Sequence, residues 1–491
     1  MNLKYANITL LGLVVFLAAC GPKKPDEEKQ LTRKPNVIFI LTDDLGYGEP
    51  GCYGQEMFQT PNLDHLAEEG MRFTDFYAGN TVCAPSRASL MTGKHPGHAS
   101  VRGNFGFKDG QWLMMPLSPQ DSTLGEIMQA RGYTTAIFGK WHLEGDFNPT
   151  HPEDRGFDET VRERFSAEAK AHFTEKYGSQ GIVRDQNYPY LLYDGKEELL
   201  IEANKNRQGV YMDDIVLARS KQYIRNNAQR PFFLFMSLKI PHAPNTLAEA
   251  DTTFLSKGWP EVERLHALRI QKMDGQIGEV TALLDSLGLS GNTIVFFTSD
   301  NGGHHEDRHD HTFFQSNGIF RGHKRDFYEG GIRVPLIVRW PGKVAEGQVS
   351  AHVGAQWDVL PTLVEITGTT TNYSHDGISM LPELLGRPGQ LSHDYLYWEF
   401  QLNGKSWMEP MPHGGFRQAL RFGKWKAVRN GLGTPIELYD LSAGPAEQQS
   451  LSKEYPELVS RAETWMEQAH EDHPYFPYGG TSHFGGIEYK Y

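Results

Sequence analysis

Four short apolar runs, rich in β-branched and aromatic residues, constrain this chain most: residues 36–41 (NVIFIL), 134–138 (TTAIF), 231–236 (PFFLFM) and 293–298 (TIVFFT). Each reads as a strand covered on both faces, as in a buried parallel sheet. Helical patterns lie between them. Thr123-Leu124-Gly125-Glu126 fits a capping box that starts a short helix. Leu265, Leu268, Met273, Ile277, Val280, Leu283 and Leu287 recur at three- and four-residue steps, which predicts a long amphipathic helix. Strands alternating with helices predict an α/β core with a largely parallel sheet. With 491 residues, 39% of them hydrophobic, the chain has ample material for that core, and wholesale disorder is excluded.

The residues just past each run matter more than the run itself. The first run ends in Asp43-Asp44, and the second leads into Gly139-Lys140-Trp141-His142. The third leads into Lys239-Ile240-Pro241-His242 and the fourth into Asp300-Asn301-Gly302. Ligands of open α/β sheets bind at the carboxyl ends of the strands, so these groups converge on one edge. Taken singly, Asp-Asp and Asp-Asn-Gly are ordinary turn residues. Their recurrence at four equivalent places favours a site. Asp43, Asp44, Asp300 and Asn301 offer only oxygen, which suits Ca²⁺ or Mg²⁺ better than zinc. Neighbours in a strand point to opposite faces, so Asp43 and Asp44 can share an ion only if the chain turns there. The formal net charge is −13. That argues against a nucleic-acid surface and requires any anionic ligand to be held by a local cationic cluster.

The three cysteines, Cys20, Cys52 and Cys83, form neither a disulfide framework nor a C-x-x-C pair. Cys83 precedes Pro85, a residue suited to a first helical turn, and a helix N-terminus favours an anion. A thiolate nucleophile and a buried structural cysteine are both open readings. Cys52, in Gly51-Cys52-Tyr53-Gly54, reads as a packed free thiol.

The stretch Cys83-Ala84-Pro85-Ser86-Arg87 resembles the signature of the type I formylglycine-dependent sulfatases, the arylsulfatase-like family. The resemblance continues in Asp43-Asp44-Leu45-Gly46-Tyr47-Gly48, Thr60-Pro61-Asn62-Leu63-Asp64 and Gly139-Lys140-Trp141-His142. It extends through Asp300-Asn301-Gly302, Arg321-Gly322-His323-Lys324 and Glu329-Gly330-Gly331-Ile332-Arg333-Val334-Pro335. It implies an alkaline-phosphatase-like α/β fold. A mixed, largely parallel sheet flanked by helices would occupy residues 34–390. A smaller antiparallel-sheet subdomain would occupy 391–491, with strands near 394–398 and 416–428 and a helix near 456–466.

The resemblance also implies chemistry. A maturing enzyme converts Cys83 to Cα-formylglycine, whose hydrate attacks sulfur and later expels sulfate as the aldehyde re-forms. One Ca²⁺ is held by Asp43, Asp44, Asp300, Asn301 and the modified Cys83. Arg87 supports the hydrate, and Lys140 and Lys324 hold sulfate oxygens. His142 is the base that helps release sulfate, and His242 the acid that protonates the leaving alcohol. The expected substrates are O-sulfated sugars of extracellular glycans. Arg102 and Asn104, with His304 and His305 of a histidine-rich loop, are candidate substrate contacts; that loop also reads as a solvated loop or an adventitious zinc site. Residues 403–415, with Trp407, Met408 and His413, read either as a plain loop or as a reach into the cleft. Two alternatives stand beside this reading: a metal-dependent phosphatase or phosphodiesterase of the same superfamily, and a non-catalytic glycan-binding lipoprotein. The first would use Ser or Thr with histidine-rich zinc sites. The second would have lost some of the six charged or nucleophilic residues present here.

At the start, Lys4 is followed by an apolar run over 8–19 that ends in Leu17-Ala18-Ala19-Cys20. This resembles a bacterial lipoprotein signal, with residues 1–19 removed and lipid carried on Cys20. Residues 20–33 then read as a charged, flexible tether. The expected location is outside the cytoplasm, with the lipid on Cys20 as the sole membrane attachment.

Overall fold

The computed structural model describes residues 34–164, 167–177, 187–206, 209–247, 252–368, 373–401 and 415–479. The leader, the tether with Cys20 and most of the 403–415 connector lie outside them. Residues from Pro35 onward form one compact unit.

All four apolar runs are strands, at Asn36–Asp43, Thr134–Gly139, Phe232–Pro241 and Thr293–Ser299. They belong to a ten-stranded mixed sheet with Asn36–Asp43 near its middle. That strand pairs in parallel with Phe232–Pro241 on one side and Thr293–Ser299 on the other. Thr134–Gly139 continues the parallel run beside Phe232–Pro241, and Glu159–Arg162 comes next. Beyond this centre the sheet turns antiparallel, through Leu336–Arg339 at one side and Leu191–Asp194 at the other.

The apolar runs are continuous because both faces are covered. Phe39, Phe235 and Phe296 face one way, against a cluster that includes Ala84, Ala88 and Leu363. Ile38, Ile40, Leu234 and Phe297 face the other, against Leu63, Val216, Met273 and Ile277. The helix Glu261–Ser286 supplies much of that second layer. Its apolar stripe is shorter than its sequence pattern: Leu265 is half-buried, and Leu287 lies past the last turn, exposed. The capping box is present, with the Glu126 N–H donating to Thr123 Oγ1 and the Thr123 N–H donating to Glu126 Oε2.

The C-terminal region forms a four-stranded antiparallel sheet of Leu396–Gln401, Phe416–Phe422, Trp425–Arg429 and Glu437–Asp440. The 416–428 stretch is thus a hairpin turning at Gly423-Lys424. One face packs against the helix Pro456–Gln468 through Leu420, Leu438, Ala462 and Met466. The other packs Trp398, Ala419 and Val428 against Tyr77, Val82 and Trp357. Val82 immediately precedes Cys83, and the Trp398 indole N–H donates to Ala78 O at 2.9 Å. The small sheet therefore supports the entry to the Cys83 helix.

Phe39 tests the centre of the fold. Its ring is fully buried and stacks on Phe235 at 5.2 Å and on Phe296 at 5.7 Å. Phe39→Ala is expected to cost about 3–5 kcal/mol through lost burial and the cavity left behind. Urea unfolding followed by circular dichroism checks this, and a loss under about 1 kcal/mol would contradict the packing described.

Candidate functional site

The four strand ends meet as their sequence positions predict. Asp43 closes its strand, and Asp44 turns with a φ of 69°. The left-handed turn lets both carboxyls serve one pocket, and short polar side chains tolerate it. The Asp44 N–H donates to Asp300 Oδ1 at 3.1 Å, and Asn301 Nδ2 donates to Asp44 Oδ1 at 2.8 Å. A Cβ on Gly302 would lie 1.9 Å from Gly330 O, so only glycine lets the Asp300-Asn301 turn approach the 329–335 segment. Asp43, Asp44, Asp300 and Asn301 are each 0% exposed.

Cys83 begins the helix Cys83–Thr92 and donates through Sγ to Asp43 Oδ1 at 3.2 Å. One turn later, Arg87 donates from Nε and Nη2 to Asp300 Oδ2 at 3.0 and 2.9 Å. Its Nη1 reaches Lys140 O and Ser237 Oγ. Lys140 Nζ lies 2.5 Å from Asp43 Oδ2, and Lys324 Nζ lies 2.7 Å from Asp44 Oδ2. His242 places Nε2 3.8 Å from Asp44 Oδ2 while Nδ1 donates to Ala243 O at 2.6 Å. His142, with a φ of 60°, is half-buried beside Lys140. The structure brings these positions together at the carboxyl ends of the central strands.

The electrostatics come from burial opposed by charge. Burial would raise the Asp43 carboxyl, but Lys140, His242, Arg87 and Lys324 together hold it well below the usual range. Asp300 is pushed up to about 7, by burial and by Asp43, despite Arg87. The Cys83 thiol is raised well above its ordinary value, first by burial and then by Asp43. At the unmodified thiol, burial and the Asp43 carboxylate thus oppose the pull of the helix terminus. Burial and the charges of Lys140 and Arg87 hold His142 well below the usual imidazole range, which keeps it neutral and able to accept a proton.

The donor set fits a hard divalent cation. Asp43, Asp44, Asp300 and Cys83 each place one ligand atom within 4.8 Å of the others. Asn301 Oδ1, buried beside them, has no hydrogen-bond partner among the described residues. An orphaned acceptor and a carboxyl pushed toward neutrality are both relieved by a cation.

The candidate substrate contacts divide. Asn104 Oδ1 accepts the Ala84 N–H at 3.2 Å, next to Cys83. His305 is exposed, in ring contact with His311 and His323 beside Lys324. Arg102 is 3% exposed and pairs with Glu399 at 2.8 Å while donating to Ala99 O and Glu471 O, so its guanidinium is committed to structure. His304 is fully buried, accepting the Glu306 N–H on Nδ1 and facing Pro241 O with Nε2. It does not line the mouth. Lys239 pairs with Glu163 rather than joining the cluster. Cys52 is half-buried, with its thiol pushed up to about 12 by burial and Asp64.

Three contributors carried no sequence signal. Ser237 holds Arg87 and Lys140 O from mid-strand. Gln356 accepts from Ser86 Oγ and donates to Ser299 O, tying the Cys83 helix to the Asp300 strand. Glu306 pairs with Lys324 and Arg325.

The sulfatase family model matches residues 35–369, and that for the C-terminal region of N-sulphoglucosamine sulphohydrolase matches 317–472. The N-acetylgalactosamine-6-O-sulfatase of Bacteroides thetaiotaomicron is 30% identical, covering 94% of this chain and 98% of that protein. The N-acetylgalactosamine-6-sulfatase of Canis lupus familiaris is 33% identical over 78% of this chain and 70% of that one. The crystal structure of Ps i-CgsB superposes with a TM-score of 0.75 at 25% identity, over 90% of this chain and 95% of that chain. Because the matched region runs through every residue of the charged cluster, from Asp43 to Lys324, the chain belongs to the sulfatase family and is a sulfuric ester hydrolase.

Proposed function

We propose that the protein hydrolyses O-sulfate esters of extracellular glycan sugars, with Cα-formylglycine at position 83 and one Ca²⁺ as its cofactors. The observation that carries this is the pairing of Cys83 with Asp43, a carboxylate that also meets Lys140, at the buried end of the central strand. Asp43, Asp44, Asp300 and Asn301 would hold the ion together with residue 83. The ion supplies Lewis-acid charge, and the hydrated aldehyde supplies a nucleophile that can release sulfate without a second attack at sulfur.

The chain's own residues do the rest. Lys140 and Lys324, paired with Asp43 and Asp44 in this structure, hold the sulfate oxygens and meet the charge that develops in transfer. Arg87 is fixed by Asp300, Ser237 and Lys140 O, so it orients residue 83 from below. His242 keeps one proton on Nδ1 for Ala243 O, so it acts as the acid from Nε2 only as the imidazolium, which Asp43 and Asp44 favour against burial. Neutral His142 takes the proton released when sulfate departs. Asn104 and His305 contact the sugar.

The sugar reading is supported by relatives whose names specify N-acetylgalactosamine 6-sulfate chemistry and by the complex of Ps i-CgsB with k-i-k-neocarrahexaose. The candidate metal cluster of Asp43, Asp44, Asp300, Asn301 and Cys83 contains no imidazole, which weighs against the phosphatase alternative. Maturation of Cys83 by a separate enzyme, export and lipid attachment at Cys20 complete the proposal. No helix of the described residues is long and apolar enough to cross a membrane.

His242→Ala is expected to lower kcat on a sugar sulfate by about 10²–10⁴-fold, and far less on an aryl sulfate whose phenolate leaves unaided. Equal losses on the two substrates would refute the leaving-group role. Chelation should abolish activity, and Ca²⁺ should restore it better than Zn²⁺ alone; restoration by Zn²⁺ only would favour the phosphatase reading. The deciding measurement is the mass of the Cys83 peptide from protein purified from its native host. An aldehyde or its hydrate is expected, and an unmodified thiol in active protein would overturn the mechanism.

A further inference from the structure

The direction of the His242 ring depends on the segment that carries it. Residues 242–245 follow the strand Phe232–Pro241 and have no regular structure of their own. Such backbone has many conformations open to it, so its carbonyls must be held if the ring is to keep one direction. Four successive carbonyls have partners. Pro241 O and His242 O accept from Arg269 at 3.0 and 2.8 Å. Ala243 O takes the His242 ring's own Nδ1–H at 2.6 Å, and Pro244 O accepts from Asn187 Nδ2 at 2.7 Å.

Arg269 comes from the helix Glu261–Ser286 and is 0% exposed. A guanidinium carries five N–H groups, and here all five are used. Besides the two carbonyls, Nη1 donates to Asn245 Oδ1 at 2.9 Å, Nη2 to Asn187 Oδ1 at 3.3 Å and Nε to Tyr211 Oη at 2.9 Å. None of these five acceptors is a carboxylate. A buried cation without an ionic partner is costly, and an apolar side chain would join helix to strand at less cost. What the guanidinium adds is a rigid planar fork that fixes several oxygens at once. Neighbouring groups complete the hold. The His242 N–H donates to Asp43 O at 3.0 Å, and the Asn245 N–H donates to Asp307 Oδ2 at 3.0 Å. With the backbone tied on both sides, His242 Nε2 faces the pocket, 3.8 Å from Asp44 Oδ2.

We propose that Arg269 is a positioning residue for the leaving-group step: its fork holds the 241–245 turn so that His242 Nε2 points at the leaving oxygen. The inference rests on the reading of His242 as the acid. Arg269 is sealed from the pocket and touches no reacting atom. Its bonds reach the His242 segment, Asn187 and Tyr211, and none reaches Lys140, Lys324 or residue 83. Its loss should therefore appear where a proton must be delivered, as for a sugar alkoxide, and not in the grip on sulfate.

The test uses Arg269→Gln, His242→Ala and the double variant, each made in the native host so that residue 83 is processed as in the unmutated protein. The mass of the Cys83 peptide sets the active fraction of each. Steady-state kinetics then compare a sugar sulfate with an aryl sulfate whose phenolate leaves unaided. Arg269→Gln is expected to lower kcat on the sugar sulfate by about 10–100-fold, the scale of a misplaced reacting group, with KM little changed and a far smaller loss on the aryl sulfate. In the His242→Ala background the same substitution should cost less than about twofold more, because the two residues act as one unit. Equal losses on the two substrates, or a full further loss in the double variant, would make Arg269 a general structural residue and overturn the inference. Equal losses from His242→Ala itself would overturn the acid reading, and the inference with it. If Arg269→Gln does not fold, Arg269→Lys, which keeps the charge but loses the fork, is judged by the same comparison.

Discussion

Three fully buried carboxylates at one sheet edge are the constraint on which the site depends. Asp43, Asp44 and Asp300 lie where solvent cannot screen them, and uncompensated burial of even one charge is costly. Each meets a buried side-chain cation: Lys140 for Asp43, Lys324 for Asp44 and Arg87 for Asp300. That balance is held by a parallel sheet that delivers its strand ends to one place. Adding a divalent ion tips it positive. A protein with a formal net charge of −13 thereby gains a local field that attracts an anion, and the pocket rather than the surface selects the ligand.

The small C-terminal sheet belongs to the same electrostatic design. Glu329, fully buried, pairs with Lys426 at 2.9 Å and with Arg333 at 3.0 Å, and accepts from Tyr77 OH at 2.8 Å. Lys426 comes from the small sheet, Tyr77 from the approach to Cys83, and Arg333 from the segment packed on Gly302. One carboxylate therefore joins the C-terminal sheet to both sides of the catalytic cluster. Breaking a buried pair leaves its partner uncompensated, so this part of the chain is tied to the site as firmly as the central strands are. Arg102 makes a comparable tie to Glu399, which also meets His470 and Tyr397.

Legibility in the sequence divides by mechanism. Strands such as 36–43 and 293–299 were legible because burial on both faces forces an unbroken apolar run. Their ends were legible because a parallel sheet exposes its carboxyl edge to ligands, so acidic and basic residues recurring there mark a site. Roles set by a distant partner were not. Arg102 looks like a substrate contact until Glu399, almost 300 positions later, is seen beside it. Ser237 and Gln356 are single polar residues whose importance arises only when Arg87 and Ser86 arrive. At Cys83 the helix terminus was visible locally, but the burial and the Asp43 carboxylate that oppose it were not.

The histidine-rich loop shows the same division within a few residues. By composition it is one feature, yet the fold sorts its imidazoles by environment. His304 and His309 turn inward, where His309 meets the Glu263 carboxylate. His305 and His311 turn outward, to His323 beside Lys324. His311 is pushed down to about 4, first by burial and then by His323 and His305. A neutral imidazole at His311 offers hydrogen bonds rather than charge. Under the proposed function that suits a hydroxyl-bearing sugar, while Lys140 and Lys324 would meet its sulfate. Lys140 and Lys324 are buried with their carboxylate partners, where low dielectric makes charge strongest.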